Sequence, residues 1–516
     1  MSRPSNIIFV MADQLAAPAL PLHGHPLVKA PRIEALAAQG VVFDAAYCNS
    51  PLCAPSRFSM LSGRLPSEIG AYDNAAEFPA TVPTFAHMLR LGGYRTVLSG
   101  KMHFVGPDQL HGFEERLTTD IYPADFGWAA DWERPEARLD YYHTMLSVVE
   151  AEACQRSQQL DFDEEVAYQA ERKIFDLARD SDDRPFFLLV SFTHPHDPYT
   201  IGQEYWDLYA EDEIDLPSVP ALAPEEMDPH SRRLHAALGL DDYDLTEERI
   251  RKARRAYYGA ISYVDAKLGR LLDTLEASGL AEDSLVVFTA DHGDMLGERG
   301  LWYKMSFYEW AARVPLIVTA PKRFGARRVA QPVSLLDLFP TLKDLGGLAE
   351  LELPEDLPGR SLLPLLEGGS EGPGVVHGEY LGEAAVGPLV MIRRGDHKYV
   401  VGVDSPPQLF DVARDPRELE NLAGHSDLEG AFAEEASRLW DLEALQAEVI
   451  TNQRQRRFVQ QASLVGQHTP WDFQPIFDAS ESYARNTRSI LGDLENRERL
   501  PYRASPPPDG PGRRES

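Results

Sequence analysis

The chain has 516 residues, 43% hydrophobic and 25% charged, a globular composition long enough for a large core and a second, smaller domain. Its 50 Lys and Arg face 81 Asp and Glu, a formal charge of -31 that excludes non-specific attraction to nucleic acid or anionic membranes, so an anionic substrate has to be captured by local positive groups. Three cysteines, Cys48, Cys53 and Cys154, form an odd set without regular spacing, which excludes a disulfide framework and predicts a reducing, cytoplasmic location.

The first six residues run straight into an apolar stretch without the pattern of a signal peptide, and no segment reaches membrane-spanning length. Residues 6–11 read as the first strand, followed by Asp13. Next comes Cys53-Ala54-Pro55-Ser56-Arg57. Its Pro-Ser-Arg suits a first helical turn, with proline at the first helical position. Cys53 then sits at a helix N-terminus, where free amides and the dipole favour an anion. Residues 94–98 form a second strand, with Lys101 and His103 beyond it. A third, 186–192, leads into His194-Pro195-His196-Asp197-Pro198.

A long amphipathic helix spans 246–278, stopped by Gly279. The fourth strand, 285–290, ends at Asp291 and His292. Each strand is a continuous hydrophobic run, which predicts an α/β fold: a large, mostly parallel sheet flanked by helices on both faces. Ligands bind outside the carboxyl ends of such strands, so four separate segments point to one site. A Pro and Gly-rich stretch at 368–374 reads as a linker, and strand-like 388–393 and 398–403 follow it. The predicted division is a catalytic domain over 1–368, a smaller α+β domain over 375–497 and a tail over 498–516 that is disordered or an arm on another subunit.

Asp13, Asp291 and His292 would gather around Cys53, and hard oxygen donors suit a divalent cation. Gln14 offers a further carbonyl oxygen. Arg57, Lys101 and Lys304 are candidates to neutralise an anionic group in transfer. His103 reads as a base, and His196 with Lys304 as an acid. His194 reads as part of a rigid turn.

The pentapeptide at Cys53 resembles the signature by which sulfatases have this cysteine oxidised to formylglycine, an aldehyde whose hydrate offers two hydroxyls on one carbon. Similarity to the sulfatases of the alkaline-phosphatase superfamily extends over nearly the full chain. Residues 72–77, 101–128, 191–199, 291–302 and 408–411 resemble the choline-sulfatase branch in particular. That resemblance implies that Asp13, Cys53, Asp291 and His292 hold the metal, calcium first; magnesium also suits the oxygen donors, and His292, standing where many sulfatases carry Asn, leaves manganese or zinc open. It also implies that Arg57, Lys101, His103, His196 and Lys304 line the sulfate.

A trimethylammonium group, by the same resemblance, lies near Asn74, Trp128, His143 and Glu383, where an aromatic face and a carboxylate suit a cation without a proton to donate. Further implications are a formylglycine-generating maturation enzyme as partner and a homo-oligomer, dimer or tetramer, in which residues 483–494 close a neighbouring pocket. Two other readings stand beside hydrolysis of choline sulfate: an arylsulfatase or phosphonate ester hydrolase of the same superfamily, and a non-catalytic zwitterion-binding protein that keeps Cys53 unmodified.

Overall fold

The computed structural model describes residues 5–466 apart from 123, 136–142 and 321. The segment 483–494 and the tail 498–516 lie outside the described residues. An eight-stranded sheet forms the centre of the fold, made of β1 (Asn6–Ala12), β2 (Val41–Phe43), β3 (Arg95–Gly100), β4 (Glu115–Arg116), β5 (Phe186–Phe192), β6 (Ser284–Ala290), β7 (Leu316–Thr319) and β8 (Arg327–Val329). Its order is β8-β2-β7-β6-β1-β5-β3-β4, and only β7 runs against the rest. Every residue of β5 and β6 is buried. Successive side chains point to opposite faces, so both faces of these strands are covered, as their unbroken apolar runs require.

Register places the site. Ala12 pairs with both Phe192 and Ala290, and Gly100 pairs with Ser191, so the central strands end at one level. The strand expected at 94–98 continues to Gly100, whose φ of 108° lets the chain press against its neighbour: a Cβ there would lie 2.0 Å from the Ser191 carbonyl oxygen. Lys101 therefore leaves the sheet directly beside the ends of β1 and β5.

Helix α1 (Cys53–Ser62) begins two residues earlier than Pro55 suggested, with extended Leu52 at its N-cap. Proline in the third position breaks no hydrogen bond, because the first turn's amides have no partner inside the helix. Cys53 is thus the first helical residue. Two long helices follow, α2 (Gln158–Arg179) and α3 (Glu247–Ser278), the latter capped by Thr246 and ended by left-handed Gly279.

A four-stranded antiparallel sheet, β9 (Val375–Tyr380), β10 (Leu389–Arg394), β11 (His397–Gly402) and β12 (Ser405–Asp411), precedes α4 (Glu429–Leu439) and α5 (Leu442–Ser463). Lys398 on β11 is fully buried and donates to Phe307 O at 2.6 Å, while its ammonium lies 2.9 Å from Glu309 and 2.6 Å from Glu418. Burial alone would drive its proton off, but the two carboxylates hold it on. Lys398→Met leaves Glu309 and Glu418 facing each other in the dry interior. The expected loss is about 3–5 kcal/mol of unfolding free energy in a urea titration, far more than a surface pair provides.

Candidate active site

Cys53 opens α1 on the edge where β1 and β6 end. Its Sγ lies 3.2 Å from His292 Nε2 and 4.0 Å from Asp13 Oδ1. His292 Nε2 is in turn 3.8 Å from Asp13 Oδ1 and 3.7 Å from Asp291 Oδ2. Ligand atoms of all four residues lie within 4.8 Å of one another, and all four are buried. The donor set fits a divalent cation. His292 Nδ1 faces the Gly293 carbonyl at 3.0 Å, which can only accept, so the proton sits there and the Nε2 lone pair points into the cluster as a ligand must.

The same two carboxylates meet cations. Arg57 donates from Nε to Asp291 Oδ2 at 2.8 Å and from Nη2 to Asp13 Oδ2 at 2.9 Å, and Lys101 Nζ lies 2.5 Å from Asp13 Oδ2. Burial and Cys53 would push the Asp13 carboxyl up, yet Lys101, His196 and Arg57 outweigh them and hold it far below the usual carboxylate range. Burial likewise raises the Cys53 thiol, while Lys304, Lys101 and His292 lower it well below a free cysteine. The floor of the site is electropositive.

Arg57 corrects an expectation. It is fully buried, is not among the residues lining the cavity, and gives its remaining nitrogen to Lys101 O and Ser191 Oγ. It braces the carboxylates of Asp13 and Asp291 instead of facing the cavity. Gln14 corrects another: its Oε1 accepts from Lys304 Nζ at 2.6 Å and its amide donates to Asp294, so that oxygen is already engaged.

Two histidines above the floor have tautomers set by main-chain carbonyls. His103 Nε2 donates to Asn74 O at 3.1 Å, leaving a buried Nδ1 without a hydrogen-bond partner among the described residues. His103 holds a left-handed φ of 62°, and Asp120 accepts its amide and that of Met102. His196 Nδ1 donates to Asp197 O at 2.6 Å, so its Nε2 accepts from Lys304 Nζ at 2.8 Å. His143 faces Asp197 Oδ2 at 3.1 Å, and burial lowers its pKa. His194 is tied to Asp163 at 2.7 Å, in line with a structural turn.

A cavity of about 300 Å³ opens over this floor. Cys53, Asn74, Lys101, His103, Trp128, His143, His196 and Glu383 all line it, from seven separate places in the chain. Asp13, Arg57, Asp291, His292 and Lys304 lie beneath, so Lys304, expected to line the sulfate, is buried behind His196 and reaches the cavity through that ring. Trp128 meets His103 edge-on at 5.9 Å between ring centroids. Glu383 is buried with Oε2 unpartnered among the described residues. Asp197 and Asp294 were missed, though each sits inside a motif read for its histidines; Tyr122, which lies 4.9 Å beneath the Lys101 ammonium, carried no such signal.

An anion drawn to this floor would meet a nucleophile position, a cation site and two imidazoles with opposite proton roles, which is the equipment of a metal-assisted hydrolase of anionic esters. Known sequences and structures agree with that class. The Sulfatase family model matches residues 5–348, and the chain belongs to the sulfatase family. Models described as N-sulphoglucosamine sulphohydrolase, C-terminal, and Choline sulfatase enzyme C terminal match 297–445 and 447–500.

A choline-sulfatase of Rhizobium meliloti (strain 1021) is 47% identical over 506 residues, covering 96% of this chain and 98% of that one. Arylsulfatase K of Xenopus laevis is 30% identical over 446 residues, 81% of this chain and 79% of its own. Among solved structures, a phosphonate monoester hydrolase of Agrobacterium radiobacter superposes with a TM-score of 0.67 at 26% identity, over 87% of this chain and 96% of that one.

Proposed function

We propose that the protein hydrolyses choline sulfate to choline and sulfate, using an aldehyde hydrate made from Cys53 by a maturation enzyme. The observation that carries the choice of ester is Glu383: a buried carboxyl with an oxygen unpartnered among the described residues, lining the same cavity as the Trp128 ring and Lys101. A quaternary ammonium asks for that wall, since it has no proton to give and gains from a ring face and a charge. The name of the 47% identical relative supports the same reading.

Asp13, Asp291, His292 and the oxygens replacing the Cys53 sulfur would hold the cation, calcium first, which supplies Lewis-acid polarisation of a sulfate oxygen. The aldehyde hydrate supplies one hydroxyl to attack sulfur and a second whose deprotonation expels sulfate. Lys101 neutralises charge on the transferring group. Lys304 and His196, sharing a proton at 2.8 Å, deliver it to the leaving choline oxygen. His103 Nδ1 accepts the proton whose loss ends the cycle. We place the protein in the cytoplasm as a homo-oligomer, with its catalytic body in 1–368, a smaller unit in 375–497 and a tail in 498–516.

The test compares kcat/KM for choline sulfate with that for its uncharged isostere, in which a quaternary carbon replaces the nitrogen. A preference of about tenfold or more for the cation is expected. Equal values would remove Glu383 and Trp128 from substrate choice.

A further inference from the structure

Helix α5 buries Leu445, Val449, Gln453 and Arg456, a single face whose character changes from apolar to polar along its length. Buried polar groups need partners, and Gln453 Oε1 and the Arg456 guanidinium find theirs in the loops that carry the cavity wall. Arg456 donates both guanidinium arms to Asp73, at 2.5 and 2.8 Å, with both side chains buried. Gln453 Oε1 accepts from the Trp132 amide at 2.9 Å, and Gln446 Nε2 donates to Val386 O at 2.6 Å. Asp73, Trp132 and Val386 belong to the three loops that carry Asn74, Trp128 and Glu383. Trp132 Nε1 also donates to Gly382 O at 2.9 Å, tying the second loop to the third.

The first loop has a second role. Asn74 accepts from the Ala54 amide through Oδ1 at 3.0 Å, at the start of α1, and from His103 Nε2 through its carbonyl. Whatever fixes Asp73 therefore fixes both the tautomer of His103 and the first turn behind residue 53. Local support is limited to one turn, in which Ala75 donates its amide to Asp73 Oδ1 and Ala76 donates to the Asp73 carbonyl, both at 3.0 Å; no helix or strand holds Asp73.

We infer that α5 is a brace, and that Arg456 and Asp73 are positioning residues that hold the ammonium-binding wall and the His103 carbonyl partner in one arrangement without touching substrate. The part concerning the ammonium rests on the proposed choline sulfate reading. The bidentate fork matters as much as the charge, because only a guanidinium can grip both carboxylate oxygens in a plane.

The experiment uses the full chain with Arg456→Gln, Arg456→Lys, Asp73→Asn and the Asp73→Asn, Arg456→Gln double variant, assayed on choline sulfate and the uncharged isostere, with hydrogen exchange followed in parallel. Arg456→Gln should raise KM for choline sulfate by about tenfold or more, raise it less for the isostere, and lower kcat on both through His103. Lysine should restore part of the loss. The double variant should be no worse than the poorer single one, as expected for one shared contact.

Peptides covering 72–76, 128–134 and 382–386 should exchange faster in Arg456→Gln, and β1 should not. Unchanged exchange in those loops, or effects that multiply in the double variant, would overturn the brace. Should Arg456→Gln fail to fold, Asp73→Asn decides on the same readouts. Should the native protein not prefer choline sulfate over the isostere, the substrate reading falls while exchange still decides the brace.

Discussion

Cys53→Ser is expected to convert the enzyme into a reagent that acts once. A serine hydroxyl in the same place can attack sulfur, and the choline oxygen leaves with the proton shared by His196 and Lys304, so one equivalent of choline appears per site. The product is a serine sulfate ester on a carbon that bears no second hydroxyl. His103 then has no O–H to deprotonate, carbon–oxygen cleavage has no driving electron pair, and the sulfate stays. Steady-state kcat should fall by about a thousandfold or more, since hydrolysis by water at a buried alkyl sulfate replaces an internal elimination. Rapid-quench measurement of choline, with intact-peptide mass spectrometry showing one added sulfuryl group on residue 53, checks this. Repeated turnover at the native rate would remove the aldehyde from the mechanism.

Glu383 provides the second large effect. Burial, then the nearby Asp73, raises its carboxyl to about 8, so at neutral pH the free site holds it mostly protonated. A bound quaternary ammonium favours the ionised form. Binding therefore has to remove a proton below about pH 8 and need not above it, and kcat/KM for choline sulfate should climb with pH through that value and then level off. Taking the ratio to the uncharged isostere cancels every group the two substrates share, and the climb should survive in the ratio. Glu383→Gln should abolish it, at a cost of roughly a hundredfold on the plateau and about tenfold near neutrality, where only a minor fraction of the native carboxyl is ionised. A ratio independent of pH in the native enzyme would show that the carboxylate does not face the cation.

Much of the fold is legible in the sequence. The four strands announced themselves because a strand buried on both faces has no polar alternation, and the level at which such strands end determines which residues meet. That is why Asp13, Lys101, His196 and Asp291, from segments far apart in the chain, meet at one edge of the sheet. Arg57 was misread for an instructive reason: four residues after Cys53 on a helix, it shares a face with the nucleophile, but whether that face looks to solvent or to Asp13 and Asp291 depends on how α1 sits on the sheet. Gln14 was misread because its left-handed φ of 63° places its side chain toward Lys304 and Asp294. The pair of Asp73 and Arg456 spans 383 positions, and neither partner lies in a local pattern that forecasts the other.

Three imidazoles in this site have one nitrogen assigned by a peptide oxygen: Asn74 for His103, Asp197 for His196 and Gly293 for His292. The instructions for which atom gives and which takes hydrogen are thus written in the backbone, out of reach of ordinary point substitution. Side chains around the opening can then be exchanged to admit a differently shaped alcohol while the order of bond making and breaking is inherited intact. A scaffold built in this way can change its customers without relearning its trade.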